Sequence, residues 1–127
     1  MNVLLVFLGG GAGAVARYLA GLGYGRAFGA ERPWIATLAV NVLGGLLMGL
    51  LVGWLARAQG PAPERWRVFL GVGILGGFTT FSSFSLEAFQ MLERKAFGMF
   101  TAYVAGSTVL SILALMLGLA LMRRLAA

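Results

Sequence analysis

Gly76-Gly77-Phe78-Thr79-Thr80-Phe81-Ser82-Ser83-Phe84-Ser85 lies inside a long apolar run, yet half of its residues carry hydroxyl groups. A helix that only had to cross a bilayer would gain nothing from this composition. An interior glycine costs ~1 kcal/mol relative to alanine, and here two are adjacent, with two threonines close behind. Backbone leaves the helix at membrane depth only where protein buries it or a water-filled cavity receives it. The stretch therefore predicts a broken helix beside a polar pathway.

The surroundings of this stretch are membrane-like. Of the 127 residues, 60% are hydrophobic and only 11% charged, with a mean hydropathy of +0.90. Most charges fall between long apolar runs. The expected spans are about 3–25, 34–56, 66–92 and 97–122, which make a single four-helix transmembrane domain. The fold class is thus an all-α membrane protein, with its third helix broken near the bilayer midplane, because Thr79 falls at the middle of 66–92. The N-terminus has no basic region before its short apolar run, so it reads as a retained first helix and not as a signal peptide. Trp34 and Trp54 are twenty residues apart, which a helix turns into about 30 Å, the thickness of a hydrocarbon core with aromatics at each face.

Glycines recur every four residues in two places. Gly9, Gly13, Gly21 and Gly25 mark the first span, and Gly45, Gly49 and Gly53 the second. Such small-residue ridges let membrane helices approach closely. Pro33 suits the first turn of the second helix, whereas Pro61 and Pro63 read as breakers in the longest loop.

Polar side chains inside the spans are few, so each needs a reading. Asn41 has an amide that can donate to an anion or bond a neighbouring helix, the commoner use of a lone intramembrane Asn. Tyr103, Ser107 and Ser111 recur every four residues and form a hydroxyl stripe on one face. Serines and threonines in membrane helices mostly bond back to their own carbonyls. Phe81 and Phe84 share a face; such pairs usually pack, but the electropositive ring edge can also touch a small anion. Arg17 either snorkels to an interface or serves helix packing. Glu87 is either a vestibule carboxylate or a helix-packing partner.

Several function classes fall away. The chain contains no Cys, His or Asp. It has no disulfide framework, metal cluster or nucleophile–base pair, and a membrane enzyme is the least favoured reading. The net charge of +6 sits beside apolar segments, which points to lipid headgroups and away from nucleic acid. A proton-coupled exporter of similar size needs an intramembrane acid, and the first two spans hold none. A non-conducting membrane subunit would use the glycine ridges but not the broken third helix. With no phosphate-binding Gly-rich Lys motif, transport is expected to be passive.

Orientation is weakly encoded. The second loop and the C-terminus carry five Lys or Arg residues (Arg57, Arg65, Arg67, Arg123, Arg124), against four in the loops of the other side (Arg26, Arg32, Arg94, Lys95). Positive-inside bias normally sets topology, and this near balance permits insertion both ways. Opposed insertion would allow an antiparallel homodimer, the intermolecular counterpart of an inverted repeat.

At this point Gly10-Gly11-Ala12-Gly13-Ala14-Val15-Ala16-Arg17-Tyr18, Asn41 with Gly44-Gly45, and Gly76 to Phe84 together resemble the small fluoride channels of the Fluc or CrcB family. The likeness covers all four spans; Ser83 stands where the family often has Thr. The resemblance implies an antiparallel, dual-topology homodimer in the plasma (bacterial inner) membrane, with two pores. It implies that Phe81 and Phe84 contact fluoride along its path and that Asn41 is the pore amide. Tyr103, Ser107 and Ser111 would be the polar track. It also implies a structural Na⁺ at the dimer interface, held by the backbone carbonyls of Gly76 and Thr79. The implied activity is passive, fluoride-selective export: neutral HF crosses lipid, ionises in a less acidic cytoplasm, and F⁻ leaves through the pore. Reagents that label tags at both termini from one side of the membrane should find two populations of opposite orientation; a single uniform orientation would contradict the dual topology.

Overall fold

The computed structural model describes residues 1–125. Helix α1 spans Asn2–Phe28 and α2 spans Pro33–Leu55. The third span comes in two pieces. Helix α3 (62–78) starts as an α-helix at Ala62–Trp66, widens into a π-helix over Arg67–Leu75 and closes with Gly76–Phe78. Helix α4 follows at Phe81–Glu93, and α5 covers Phe97–Leu125. Four stretches are long and apolar enough to cross a membrane, with 62–93 as the third, and no strand occurs among the described residues. The chain is an all-helical, multi-pass membrane protein.

Helix ends follow local chemistry. Pro33 opens α2 at its first helical position, where its missing N–H costs nothing. Pro63 lies within the first turn of α3 and does not break it, for the same reason. The third helix therefore begins at Ala62, before the expected residue 66. Gly29, at φ 90°, turns the chain out of α1.

The bundle is built from two glycine-cemented pairs. Helix α1 packs on α3, and α2 packs on α5. In the first pair, a Cβ on Gly9 would meet the Phe69 carbonyl oxygen at 2.6 Å, and one on Gly13 would run into the Ile74 carbonyl oxygen. In the second pair, a Cβ on Gly45 would lie 2.6 Å from the Ser111 carbonyl oxygen, and Gly49 and Gly118 are blocked by the backbone oxygens of Leu115 and Leu46. The ridge of the second span is thus used in full, as Gly53 also abuts Met122. The ridge of the first span is used only over its N-terminal half, because Gly21 and Gly25 face open space.

A buried core is nearly absent. Ala88, Met91 and Tyr103 form one small cluster between α4 and α5, packed by Trp34, Leu38 and Phe84. Most large apolar side chains point outward, including Phe7, Val15, Leu86 and Leu113. In lipid this is the expected arrangement, since tails are as apolar as leucine and helices associate by close packing and hydrogen bonds.

Gly49→Ala should destabilise the protein by about 1–3 kcal/mol, the usual cost of overpacking, because the new methyl meets backbone that cannot move aside. Gly21→Ala should be neutral or slightly stabilising. Unfolding midpoints in detergent would check both.

Candidate functional site

The chain leaves the helix at Thr79 and Thr80, both with extended backbone (φ −81°, ψ 158° and φ −148°, ψ 122°). This is two residues beyond the glycine pair, which remains helical, with Gly76 at φ −62° and ψ −39°. Thr79 ends α3 by placing both its N–H (3.0 Å) and its hydroxyl (2.9 Å) on the Leu75 carbonyl. Thr80 begins α4 as its N-cap, its hydroxyl oxygen accepting the Ser83 N–H at 3.1 Å, the usual use of Thr at that position.

Asn41 closes the gap. Its Oδ1 accepts the Thr80 N–H at 2.9 Å, and its Nδ2 donates to the Thr80 carbonyl at 3.0 Å. One side-chain amide from α2 thereby satisfies both backbone groups of the extended residue. Gly44, one turn further along α2, lets the Thr79 side chain approach, because a Cβ there would overlap Cγ2 of Thr79. Arg17 reaches the same place from α1, its Nε donating to the Gly77 carbonyl at 3.2 Å. The long-range partner, and not a membrane interface, accounts for this arginine inside an apolar span.

Two carbonyls are released by these exchanges. In an unbroken helix the Thr80 N–H would bond the Gly76 carbonyl, and the Ser83 N–H would bond that of Thr79. The first donor is held by Asn41 and the second by the Thr80 hydroxyl. Neither carbonyl keeps the donor that its helix would supply.

The break borders two cavities, which share Thr80. The first, of about 420 Å³, gathers Asn41, Phe81, Phe84, Ser107 and Ser111, and its rim includes Gly76 and Thr79. It is open on one side. Phe81 stands at that opening with 80% of its surface exposed, its ring 5.5 Å from that of Phe84. Ser107 is the unusual hydroxyl. Ser85, Thr101 and Thr108 each donate to the carbonyl four residues back. The Ser107 Oγ, on a residue only 5% exposed, has no hydrogen-bond partner among the described residues.

Tyr103 does not line this cavity. It is 3% exposed and donates to Oε2 of Glu87 at 2.7 Å, while its ring lies between Trp34 and Phe84, 5.6 and 5.1 Å away. Glu87 also accepts the Thr37 hydroxyl at 2.8 Å on Oε1, so one carboxylate ties α4 to α2 and α5. The second cavity, of about 490 Å³, lies on the other side of the break and is lined by Arg17, Thr37, Ser83 and Glu87 among others. Arg17 and Glu87 were ambiguous in sequence because their partners are far away in the chain.

A four-span bundle in which α2, the broken third span and α5 line a cavity of hydroxyls, an amide and aromatic rings defines a small multi-pass membrane transport protein. The chain belongs to the CrcB family: the family model described as "CrcB-like protein, Camphor Resistance (CrcB)" matches residues 4–119. Among its relatives, the protein named "Fluoride-specific ion channel FluC" from Phenylobacterium zucineum is 55% identical over 122 residues, covering 96% of this chain and 95% of the relative. Those of the same name from Rhodospirillum centenum and Caulobacter sp. strain K31 are 55% and 50% identical, over 95% and 98% of this chain and 94% and 96% of theirs. The family and these names denote a channel and not an enzyme.

Asn41→Ala should leave the Thr80 N–H and carbonyl without partners, at a cost of about 1–3 kcal/mol for each buried group. Hydrogen exchange at the Thr80 amide should then quicken by at least about tenfold, with far smaller changes in the middle of α2.

Proposed function

We propose that this protein is a passive fluoride channel, in which the cavity beside the break is half of a permeation path. The single observation that carries the reading is the Ser107 hydroxyl. It is a buried polar group without a partner, in a cavity shared with Asn41, Phe81 and Phe84. Native proteins rarely leave such a group unpaired unless something else bonds it. The relatives' names supply the anion.

The donors suit a small, strongly hydrated anion. Asn41 uses one Nδ2 hydrogen on Thr80 and keeps the other. Ser107 and Ser111 add hydroxyls. At the start of α4, where the Thr80 hydroxyl already caps the Ser83 N–H, the Phe81 and Ser82 N–H groups have no acceptor one turn back in their own helix and carry the positive end of its dipole. Phe81 and Phe84 offer ring edges without a fixed charge that would trap the ion. Selection against chloride then rests on narrowness and on donors that replace a hydration shell. Tyr103 acts from outside the cavity, holding Phe84 and Glu87 in place.

A half-path needs a second half. The open side of the cavity and the exposure of Phe81 fit a second copy seated against the break, and an antiparallel partner would make two equivalent paths. The near balance of basic residues between the two sides permits that arrangement. The released carbonyls of Gly76 and Thr79 are the type of oxygen ligand that holds Na⁺ in broken membrane helices. Two copies would bring four of them to the dimer centre, where the ion would join the copies and not permeate. In a bacterial inner membrane the channel would let F⁻ leave a cytoplasm into which HF has leaked.

Flux from liposomes, followed with fluoride and chloride electrodes, tests the reading. Wild type should release fluoride rapidly and chloride negligibly, without a proton gradient. Ser107→Ala should keep or raise stability, since it removes an unpaired group, and should lower fluoride flux at least about tenfold, the worth of one hydrogen bond to a charged ligand. Phe81→Ile and Phe84→Ile should impair flux in a folded protein. Wild-type flux from all three would contradict the site.

A further inference from the structure

Away from the break, a third cavity of about 560 Å³ opens between the start of α1 and the start of α3. Its walls are Met1, Leu5, Ala62, Trp66 and Phe69, and its one charged side chain is Arg65. We propose that this groove is a binding site for an anionic phospholipid, with acyl chain along the apolar wall and phosphate at Arg65.

Three observations commit the groove to that occupant. Arg65 is free to bind: the only ion pair among the described residues joins Arg67 to Glu64 at 2.7 Å. Glu64 is also the only acidic side chain in the second loop and C-terminal segment, where five arginines lie. Contacts bring these segments together at one end of the bundle. Trp54 stacks edge-on with Trp66 at 6.3 Å, and the Arg57 guanidinium donates to the Met122 carbonyl near the end of α5. That end is strongly electropositive, and anionic headgroups are its complement. Finally, Trp66 and Phe69 stack at 6.5 Å beside Arg65. An aromatic pair next to a cation is the side-chain set that membrane interfaces favour, where Arg reaches the headgroup and rings meet the upper acyl chain.

The test is native mass spectrometry of the full chain released from micelles containing dioleoylphosphatidylglycerol or dioleoylphosphatidylcholine. Wild type should retain phosphatidylglycerol in preference. Arg65→Gln should reduce that retention roughly fivefold, the worth of one cation at an anionic surface. Arg123→Gln, which removes the same charge from the same end outside the groove, should leave it unchanged. Ala62→Phe, which fills the groove and keeps every charge, should reduce retention of both lipids. Equal losses with Arg65→Gln and Arg123→Gln would overturn the proposal in favour of diffuse surface charge. Unchanged retention in Arg65→Gln and Ala62→Phe would also overturn it. So would loss of dimer with lipid retention intact, which would assign the groove to a second copy.

Discussion

Two hydrogen bonds between the Asn41 amide and the Thr80 peptide make the rest of the architecture possible. An extended residue inside an apolar span leaves backbone groups that lipid cannot satisfy, at several kcal/mol each. Asn41 supplies the missing donor and acceptor from α2, Arg17 covers the Gly77 carbonyl from α1, and the Thr80 hydroxyl caps α4. Each replacement bond comes from a different place, so the break is fixed by the packing of three helices. In exchange, the chain gains a helix N-terminus and two released carbonyls at the wall of a cavity.

The glycine pairs hold those helices at the distance the clasp requires. Helices α1 and α3 form one unit and α2 and α5 the other, each with backbone against backbone. The break and α4 join the units, through Asn41 to Thr80 and through Glu87 to Thr37 and Tyr103. With so few residues buried, close packing and these polar ties stand in for a hydrophobic core. The same economy leaves the cavity open on one side.

Much of this was legible in the sequence. The all-helical class and four apolar helices followed from hydropathy, and an interruption of the third helix from Gly76 to Thr80. The break's exact residues did not. Gly76 and Gly77 have low helix propensity, but Gly77 packs against the Gly10 backbone and stays helical, while Asn41, distant in sequence, pulls Thr80 out. A spacing of four groups Tyr103 with Ser107 and Ser111. A helix advances about 400° over four residues, so each step drifts by about 40°. Over two steps that drift carried Tyr103 off the cavity wall and against Glu87. Unpartnered Gly21 and Gly25 show the same limit: a ridge can be read from spacing, but whether a helix lies on it depends on the whole bundle.

Under the proposed function, the cavity beside the break is one half of a path that a second, oppositely inserted copy completes. This is tested most directly by determining the assembled protein's structure in lipid nanodiscs. Two antiparallel copies are expected, with Phe81 buried between them and the Gly76 and Thr79 carbonyls of both facing one centre. A monomer, or a dimer in which Phe81 faces the acyl chains and the cavity stays open to lipid, would contradict it.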